Sequence, residues 1–402
     1  MRRVALTGAG TVNALAGDVP GTMAAMREGR SAIGPLDFRD AERLTIRIGA
    51  QIRRDAAPLP PGSPRPALLD PVTHQALVAA AEAVAQAGLR PGGVEAHRLG
   101  VILGTAGGGV QTWEDSFRTV FEEGRNRVPP LVVPRLMPNA AAAQIAIAHG
   151  ARGPCYTVST ACASANHAMG LAFHTIRAGQ ADMVITGGAD SMLCFGGVKA
   201  WEGLRVLSPD GCRPFCATRN GMVLGEGAGI FVFEAWERAA ARGAEILAEI
   251  AGFGMSSDAA DIVLPSREGA ARAMRLALED AGIAAEEIGY VNAHGTGTRA
   301  NDATEAAALR AVFGAALGGV PVSATKSLHG HAIGGAGAIE LIACLMALRE
   351  GVIAPTAGVR QPDPDCALNL VVGEAREAAP RAAMSNAFAF GGFNAVLVLR
   401  RA

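Results

Sequence analysis

Val158-Ser159-Thr160-Ala161-Cys162-Ala163-Ser164-Ala165-Asn166-His167 is the stretch on which the reading of this chain turns. Tyr156 to Val158, just before it, is β-prone and follows Gly153-Pro154. From Ala161 onward the pattern is helical, with Asn166, Met169 and Phe173 following Cys162 at helix-compatible spacing. Cys162 is therefore expected at a strand-to-helix turn, near a helix N-terminus. Unpaired N–H groups and the positive end of the helix dipole favour a thiolate there, and a thiolate is a far better nucleophile than a thiol. A lone cysteine reads more readily as a buried structural residue, and it is the rest of the chain that reverses this.

Working outward, strand and helix signals alternate along all 402 residues, which gives an α/β fold. Strands are predicted at 3–7, 99–103, 183–186, 230–234, 246–251, 288–291, 320–323 and 395–399, and helices at 71–87, 162–178, 268–281, 303–313 and 336–350. The proline-rich stretch 56–66 reads as a surface loop, and 115–138 as an inserted cap with a charged helix followed by Pro129-Pro130. A polar join at 235–244 divides the chain into two halves. Apolar residues make up 50% and aromatics only 4%, so the core must come from small and aliphatic side chains.

A formal charge of -1 argues against a nucleic-acid role for the whole protein. No apolar run reaches membrane length; the segment 339–348 is apolar but short, and it carries Glu340. Seven cysteines, an odd number in a long chain with no secretory signal, lead us to expect a reducing cytoplasm. Gly8-Ala9-Gly10 lacks the third glycine of a dinucleotide fingerprint, and Gly107-Gly108-Gly109 lacks the Lys-Ser/Thr of a phosphate loop. Only Lys199 and Lys326 are lysines in an arginine-rich chain, so Lys326 is expected to need a compact ammonium.

Three further segments carry chemistry-bearing residues at strand ends. Tyr290-Val291-Asn292-Ala293-His294-Gly295-Thr296-Gly297-Thr298 leads to Asp302, expected as a helix cap with Glu305 as its capping-box partner. Val322-Ser323-Ala324-Thr325-Lys326-Ser327-Leu328-His329-Gly330-His331 is followed by Gly334-Gly335, and Ser385-Asn386-Ala387-Phe388-Ala389-Phe390-Gly391-Gly392-Phe393-Asn394 closes the series. Each alone is weak. Together with Cys162 they are expected to converge on one site at the strand ends of an α/β sheet.

This set resembles the β-ketoacyl-acyl-carrier-protein synthases, elongating type II class, over nearly the whole chain. Thr160-Ala161-Cys162-Ala163-Ser164, Asn292-Ala293-His294-Gly295-Thr296 and Thr325-Lys326-Ser327 to Gly330-His331 fall in the family's order and spacing. Within the class it is similar to a nodulation-protein-E branch, through Ala163-Ser164-Ala165-Asn166-His167, Lys199-Ala200-Trp201-Glu202, Cys212-Arg213-Pro214-Phe215 and Thr298-Arg299-Ala300-Asn301-Asp302. The resemblance implies a thiolase-like five-layered α-β-α-β-α fold with two similar halves, 1–242 and 243–402. It implies a homodimer or a heterodimer with a chain-length partner, no cofactor beyond the phosphopantetheine of an acyl-carrier protein, and no metal.

The implied reaction is acyl transfer to Cys162, then decarboxylation of malonyl-carrier protein and carbon–carbon bond formation. His294 and His331 are implied as neutral donors to the enolate, with Lys326 holding His331 and Glu340 in the same buried network. The N–H groups of Cys162 and Phe390 are implied as oxyanion donors. Thr296 and Thr298 hold the phosphopantetheine arm; Phe388 and Gly391 belong to the substrate site; Phe390 is a gate with hinge freedom from Gly391 and Gly392. Gly107 takes the place of a bulkier aliphatic and is expected to leave room for a long acyl chain. Arg125, Arg127 and Arg205 are candidates for docking an acidic carrier.

His329 competes with His331, which is preferred on its spacing from Lys326. Other readings stay open at this point: a zinc site from His294, His329, His331 and Cys162, a Cys/His amide hydrolase, and a chain-length partner subunit that binds without condensing. The pathway is open too: fatty-acid synthesis, or a type II polyketide or polyene pathway.

Overall fold

Ten strands form the frame: β1 (Val4–Asn13), β2 (Leu99–Gly104), β3 (Cys155–Val158), β4 (Met183–Asp190), β5 (Gly227–Ala235), β6 (Ala248–Ser257), β7 (Tyr290–Asn292), β8 (Pro321–Ser323), β9 (Ala382–Ala389) and β10 (Phe393–Arg400). They belong to a computed structural model that describes residues 1–53, 58–89 and 95–402; Ala56 and Ala57 of the expected proline-rich loop lie outside the described residues.

The strands divide into two halves with one topology. The first half-sheet runs β1-β5-β4-β2-β3, and the second runs β6-β10-β9-β7-β8 with the short strand Asn369–Leu370 added at its edge. In each half the first strand pairs antiparallel with the fifth, the fifth antiparallel with the fourth, the fourth parallel with the second, and the second parallel with the third. A short antiparallel β1–β6 pairing joins the halves edge to edge. The duplication is thus explicit in the fold although no short repeat is visible in the sequence.

Helices around these sheets include α1 (Pro71–Gln86), α2 (Val110–Phe117), α3 (Ser164–Arg177), α4 (Phe195–Gly203), α5 (Arg267–Ala281), α6 (Arg299–Phe313) and α7 (Ala336–Glu350). α1 packs on the outer face of the first half-sheet, and α5, backed by α6, on the outer face of the second. Between the half-sheets lie α3 and α7, each touching strands of both. The result is the five-layered α-β-α-β-α order. α7 is buried from Ala336 to Leu348, which explains an apolar helix with no polar face.

Small residues let these layers approach. At Gly104 a Cβ would lie 2.3 Å from the backbone of Ser164, so a side chain there would push α3 away from the end of β2. Three expectations need correction. The helix after Cys162 starts at Ser164, because Ala161 adopts φ +47° and breaks the run. Ser385 to Ala389 belongs to the strand β9, so only Phe390 to Gly392 forms the turn. In the 115–138 segment, α2 ends at Phe117, well before Pro129-Pro130, and a single π-helical turn follows at Arg118–Glu122.

Candidate active site

The two halves deliver equivalent strand ends to one cavity. β3 leads into the Cys162 turn, and its counterpart β8 leads into Lys326 to His331; β7 leads to His294 and β9 to Phe390. The cavity is lined by Cys162, His294, His331, Thr296, Thr298, Phe388 and Phe390, with apolar walls that include Val206, Met222, Val263 and Leu264.

The Cys162 turn is locked by one hydroxyl. Ser164 Oγ accepts from the Thr160 N–H (2.9 Å) and donates to Ala161 O (2.7 Å). This holds Ala161 in the left-handed region, which costs an L-residue about 1 kcal/mol or more, and fixes where the sulfur sits. Cys162 is 5% exposed. Burial pushes its thiol up to about 12, with the Lys326 ammonium pulling the other way. Burial thus works against the thiolate that a helix end favours, and Cys162 lies two residues ahead of α3.

His294 sits on a loop of four consecutive N–H groups, all accepted by two carboxylates of α6. Glu305 takes those of His294 and Gly295 at 2.8 Å each, and Asp302 takes those of Thr296 (3.1 Å) and Gly297 (3.2 Å). The expected capping box is thereby corrected. Thr298 caps the helix through Asn301, while Asp302 and Glu305 reach back to grip the His294 loop. Glu305 also accepts from Asn386 on β9, linking the His294 loop to the strand that precedes Phe390.

The protonation of both imidazoles follows from their partners. Lys326 Nζ lies 3.2 Å from His294 Nδ1, and an ammonium can only donate, so Nδ1 accepts and the proton resides on Nε2. Lys326 also donates to His294 O (2.6 Å) and to Glu340 Oε1 (2.5 Å). His331 Nδ1 accepts from the Ile333 N–H (3.2 Å), which again places the proton on Nε2, an atom with no partner among the described residues. The rings meet edge-on with centroids 5.5 Å apart. Burial, then the Lys326 charge, holds both well below the usual imidazole range, so both are neutral donors. Lys326 holds His294 and not His331 as expected; it reaches His331 only through its charge.

His329 does not line the cavity: its Nε2 turns to Thr325 Oγ1 at 3.1 Å. Glu340 is buried behind Lys326, also away from the lining, and burial pushes its carboxyl up to about 7 against the pull of Lys326. Gly391 is likewise not a lining residue, but with Gly392 it supplies the positive φ of the turn after Phe390 (83° and 72°). At Gly107 the expected open space is absent, because an added Cβ would lie 2.5 Å from Met192 Cε and 2.7 Å from Val110 Cγ2. Thr296 and Thr298 face the cavity with their hydroxyls 2.9 Å apart. Arg125, Arg127 and Arg205 are all exposed, Arg125 paired with Glu123.

The sequence reading missed Asp190, which ends β4 buried and accepts from Thr105 Oγ1 and from the N–H groups of Ala106, Gly107 and Gly334. It staples the first half's loop to the turn after His331. A carboxylate closing an otherwise apolar strand was its one signal.

The geometry speaks against a hydrolase. A ring acting as base is bare at the nitrogen facing the nucleophile and donates its other N–H to an orienting carboxylate or amide, whereas here both Nδ1 atoms accept from Lys326 and the Ile333 N–H and no such orienting acceptor is found among the described residues. Among the described residues, no three His, Cys, Asp or Glu side chains group as metal ligands.

Comparison with known proteins agrees with this arrangement. Residues 1–239 match the family model for the beta-ketoacyl synthase N-terminal domain and residues 247–360 that for its C-terminal domain. Nodulation protein E of Rhizobium sp. (strain N33) is 47% identical, the match covering 100% of this chain and 99% of that protein. The 3-oxoacyl-[acyl-carrier-protein] synthase 2 of Staphylococcus aureus (strain N315) is 38% identical over 100% of this chain and 98% of its own length. The solved ishigamide ketosynthase/chain length factor superimposes with a TM-score of 0.94 at 36% identity, covering 100% of this chain and 99% of that one. With both halves matched and the likeness running from end to end, this chain belongs to the β-ketoacyl synthase family and is a condensing acyltransferase.

Proposed function

We propose that this chain extends acyl groups by decarboxylative condensation, leaving a 3-oxoacyl chain on an acyl-carrier protein. The observation that carries this reading is the pair of neutral Nε2–H donors, His294 and His331, on the cavity that Cys162 lines. First, the Cys162 sulfur attacks the thioester carbonyl of the incoming chain. The bond to the carrier sulfur breaks, and the thiol proton ends on the departing phosphopantetheine sulfur, so no net base is needed. That suits a thiol which burial keeps protonated. The N–H groups of Cys162 and Phe390 hold the tetrahedral oxyanion, each donor worth about 3 kcal/mol.

Malonyl-carrier protein then loses carbon dioxide. The bonding pair becomes an enolate, whose oxygen accepts from both Nε2–H groups. Its carbon attacks the acyl-Cys162 carbonyl, the Cys162 thiolate leaves, and that thiolate takes up one proton from solvent. Lys326, backed by Glu340, fixes the His294 tautomer. Thr296 and Thr298 hold the phosphopantetheine arm beside Phe388, and Phe390 gates the cavity with Gly391 and Gly392 as hinge. Arg125, Arg127 and Arg205 attract the acidic carrier. Incubating the protein with acyl- and malonyl-carrier protein is expected to give carbon dioxide and 3-oxoacyl product in equal amounts, with one proton taken up per turnover. Decarboxylation with no condensation product from the loaded enzyme would refute this.

The working unit we propose is a dimer of chains, each with halves 1–242 and 243–402. Trp113, Phe117 and Phe121 form a row of exposed rings, and the edge strand β3 presents exposed Cys155 and Tyr156. Such an unpaired apolar edge suits a two-fold partner. All seven cysteines are free thiols, which supports a reducing cytoplasm. The alternative, the ketosynthase subunit of a type II polyketide or polyene pathway, is favoured by the likeness to the ishigamide ketosynthase/chain length factor. Product length that changes only when a partner subunit is added would select it.

A further inference from the structure

The segment Lys199-Ala200-Trp201-Glu202 on α4 has no part in the chemistry above, yet it abuts the gate. The Trp201 ring stacks on Phe390 with centroids 6.0 Å apart and an interplanar angle of 27°. Phe390 lines the cavity and Trp201 does not, so the Phe390 ring lies between the cavity and this indole. The indole stands on a fixed base. Glu202, its neighbour, accepts from the N–H groups of Thr45 (2.6 Å) and Ile46 (2.7 Å) and from Lys199 Nζ (2.7 Å), pinning α4 to the N-terminal segment, while Val198 is buried beneath it. Phe390, by contrast, hangs from a turn whose next two residues are positive-φ glycines. One ring is anchored and the other sits beside a hinge. Among the described residues Phe390 has no other ring contact.

We infer that Trp201 is a positioning residue: it is the rest on which the Phe390 ring lies in the unloaded enzyme, and loading of Cys162 lifts Phe390 off it. This rests on the gate role proposed for Phe390. The role is conformational, and the geometry that carries it is an anchored ring stacked against a hinged one. A stacked aromatic pair shifts a two-position equilibrium by roughly two- to tenfold.

The test uses the full-length protein and iodoacetamide, with modification of Cys162 followed by mass spectrometry. Trp201→Ala is expected to alkylate two- to tenfold faster than wild type, because Phe390 spends less time in its resting place. Trp201→Phe, which keeps a ring, is expected to stay near the wild-type rate. A second readout needs no change at Trp201. In Trp113→Phe/Trp236→Phe, Trp201 is the sole tryptophan of an original three, and its emission is expected to change when Cys162 is alkylated or acylated, but not when Phe390→Ala is added. Alkylation of Trp201→Ala at the wild-type rate, equal rates for the alanine and phenylalanine variants, or an emission blind to the state of Cys162 would each overturn the inference. Neither readout depends on condensation, so failure of the proposed reaction, tested by product formation, is told apart from failure here.

Discussion

Replacing Lys326 by methionine separates what this lysine does for the fold from what it does for the reaction. Its Nζ is fully buried, 2.5 Å from Glu340 and 3.2 Å from His294 Nδ1. Among the described residues Glu340 has no partner for its other oxygen, and it already carries a carboxyl raised to about 7. Removing the ammonium leaves that group in the core uncompensated, a loss of about 3–5 kcal/mol of stability for a broken buried pair, set against a total of only about 5–15 kcal/mol. Replacing both members, Lys326→Met with Glu340→Leu, removes the stranded charge, and an apolar substitute for a buried pair is often neutral or stabilising. Stability is therefore expected to return in the double variant.

Activity is not. Without Lys326 nothing donates to His294 Nδ1, the ring is free to carry its proton there, and Nε2 then faces the cavity as an acceptor. Loss of one oxyanion-type donor lowers the rate about 100- to 1,000-fold. The assay pairs urea unfolding with malonyl-carrier-protein decarboxylation, and scores acyl transfer to Cys162 as a control that is expected to change little. A double variant that is stable and decarboxylates at the wild-type rate would refute the tautomer argument.

Three further outcomes follow from the same geometry. Both site imidazoles have depressed pKa values, so the neutral form is retained as pH falls through the ordinary imidazole value of about 6.5; ¹⁵N NMR is expected to report unchanged Nε2–H tautomers from about pH 5 to 8, and a titration there would contradict it. Gly107→Phe is expected to lose about 1–3 kcal/mol by overpacking against Met192 and Val110, and Met192→Ala to recover much of it; equal melting temperatures for wild type and Gly107→Phe would show that the space is open. Arg125→Glu with Arg127→Glu is expected to raise the apparent KM for the carrier protein with kcat little changed, and an unaltered KM would remove these arginines from docking.

Much of this was legible in the sequence because the chemistry sits at the ends of apolar strands. Cys162, His294, His331 and Phe390 could be named from their strand-to-loop context, and they meet in one cavity. The likeness of the two halves was legible only through the family resemblance, since they share a topology and not a repeated motif. The partners of carboxylates were also hidden. Asp302 and Glu305 have capping-box spacing, but spacing does not say that their side chains fold back to take N–H groups of the preceding loop. The Lys326 partner was misassigned because His331 is nearer in sequence, while the fold brings β7 and β8 side by side and with them His294. The space at Gly107 was misread because a glycine says nothing of which neighbour fills its place.

The central claim is that two neutral imidazoles act on the enolate and not on the loading of Cys162. The most direct measurement is the rate of carbon dioxide release from malonyl-carrier protein in His294→Ala and in His331→Ala, with acyl transfer to Cys162 measured on the same samples. Decarboxylation reduced about 100-fold or more in each, with acylation of Cys162 retained, is the predicted result. Decarboxylation that survives in either variant, or acylation lost in step with it, would contradict the account.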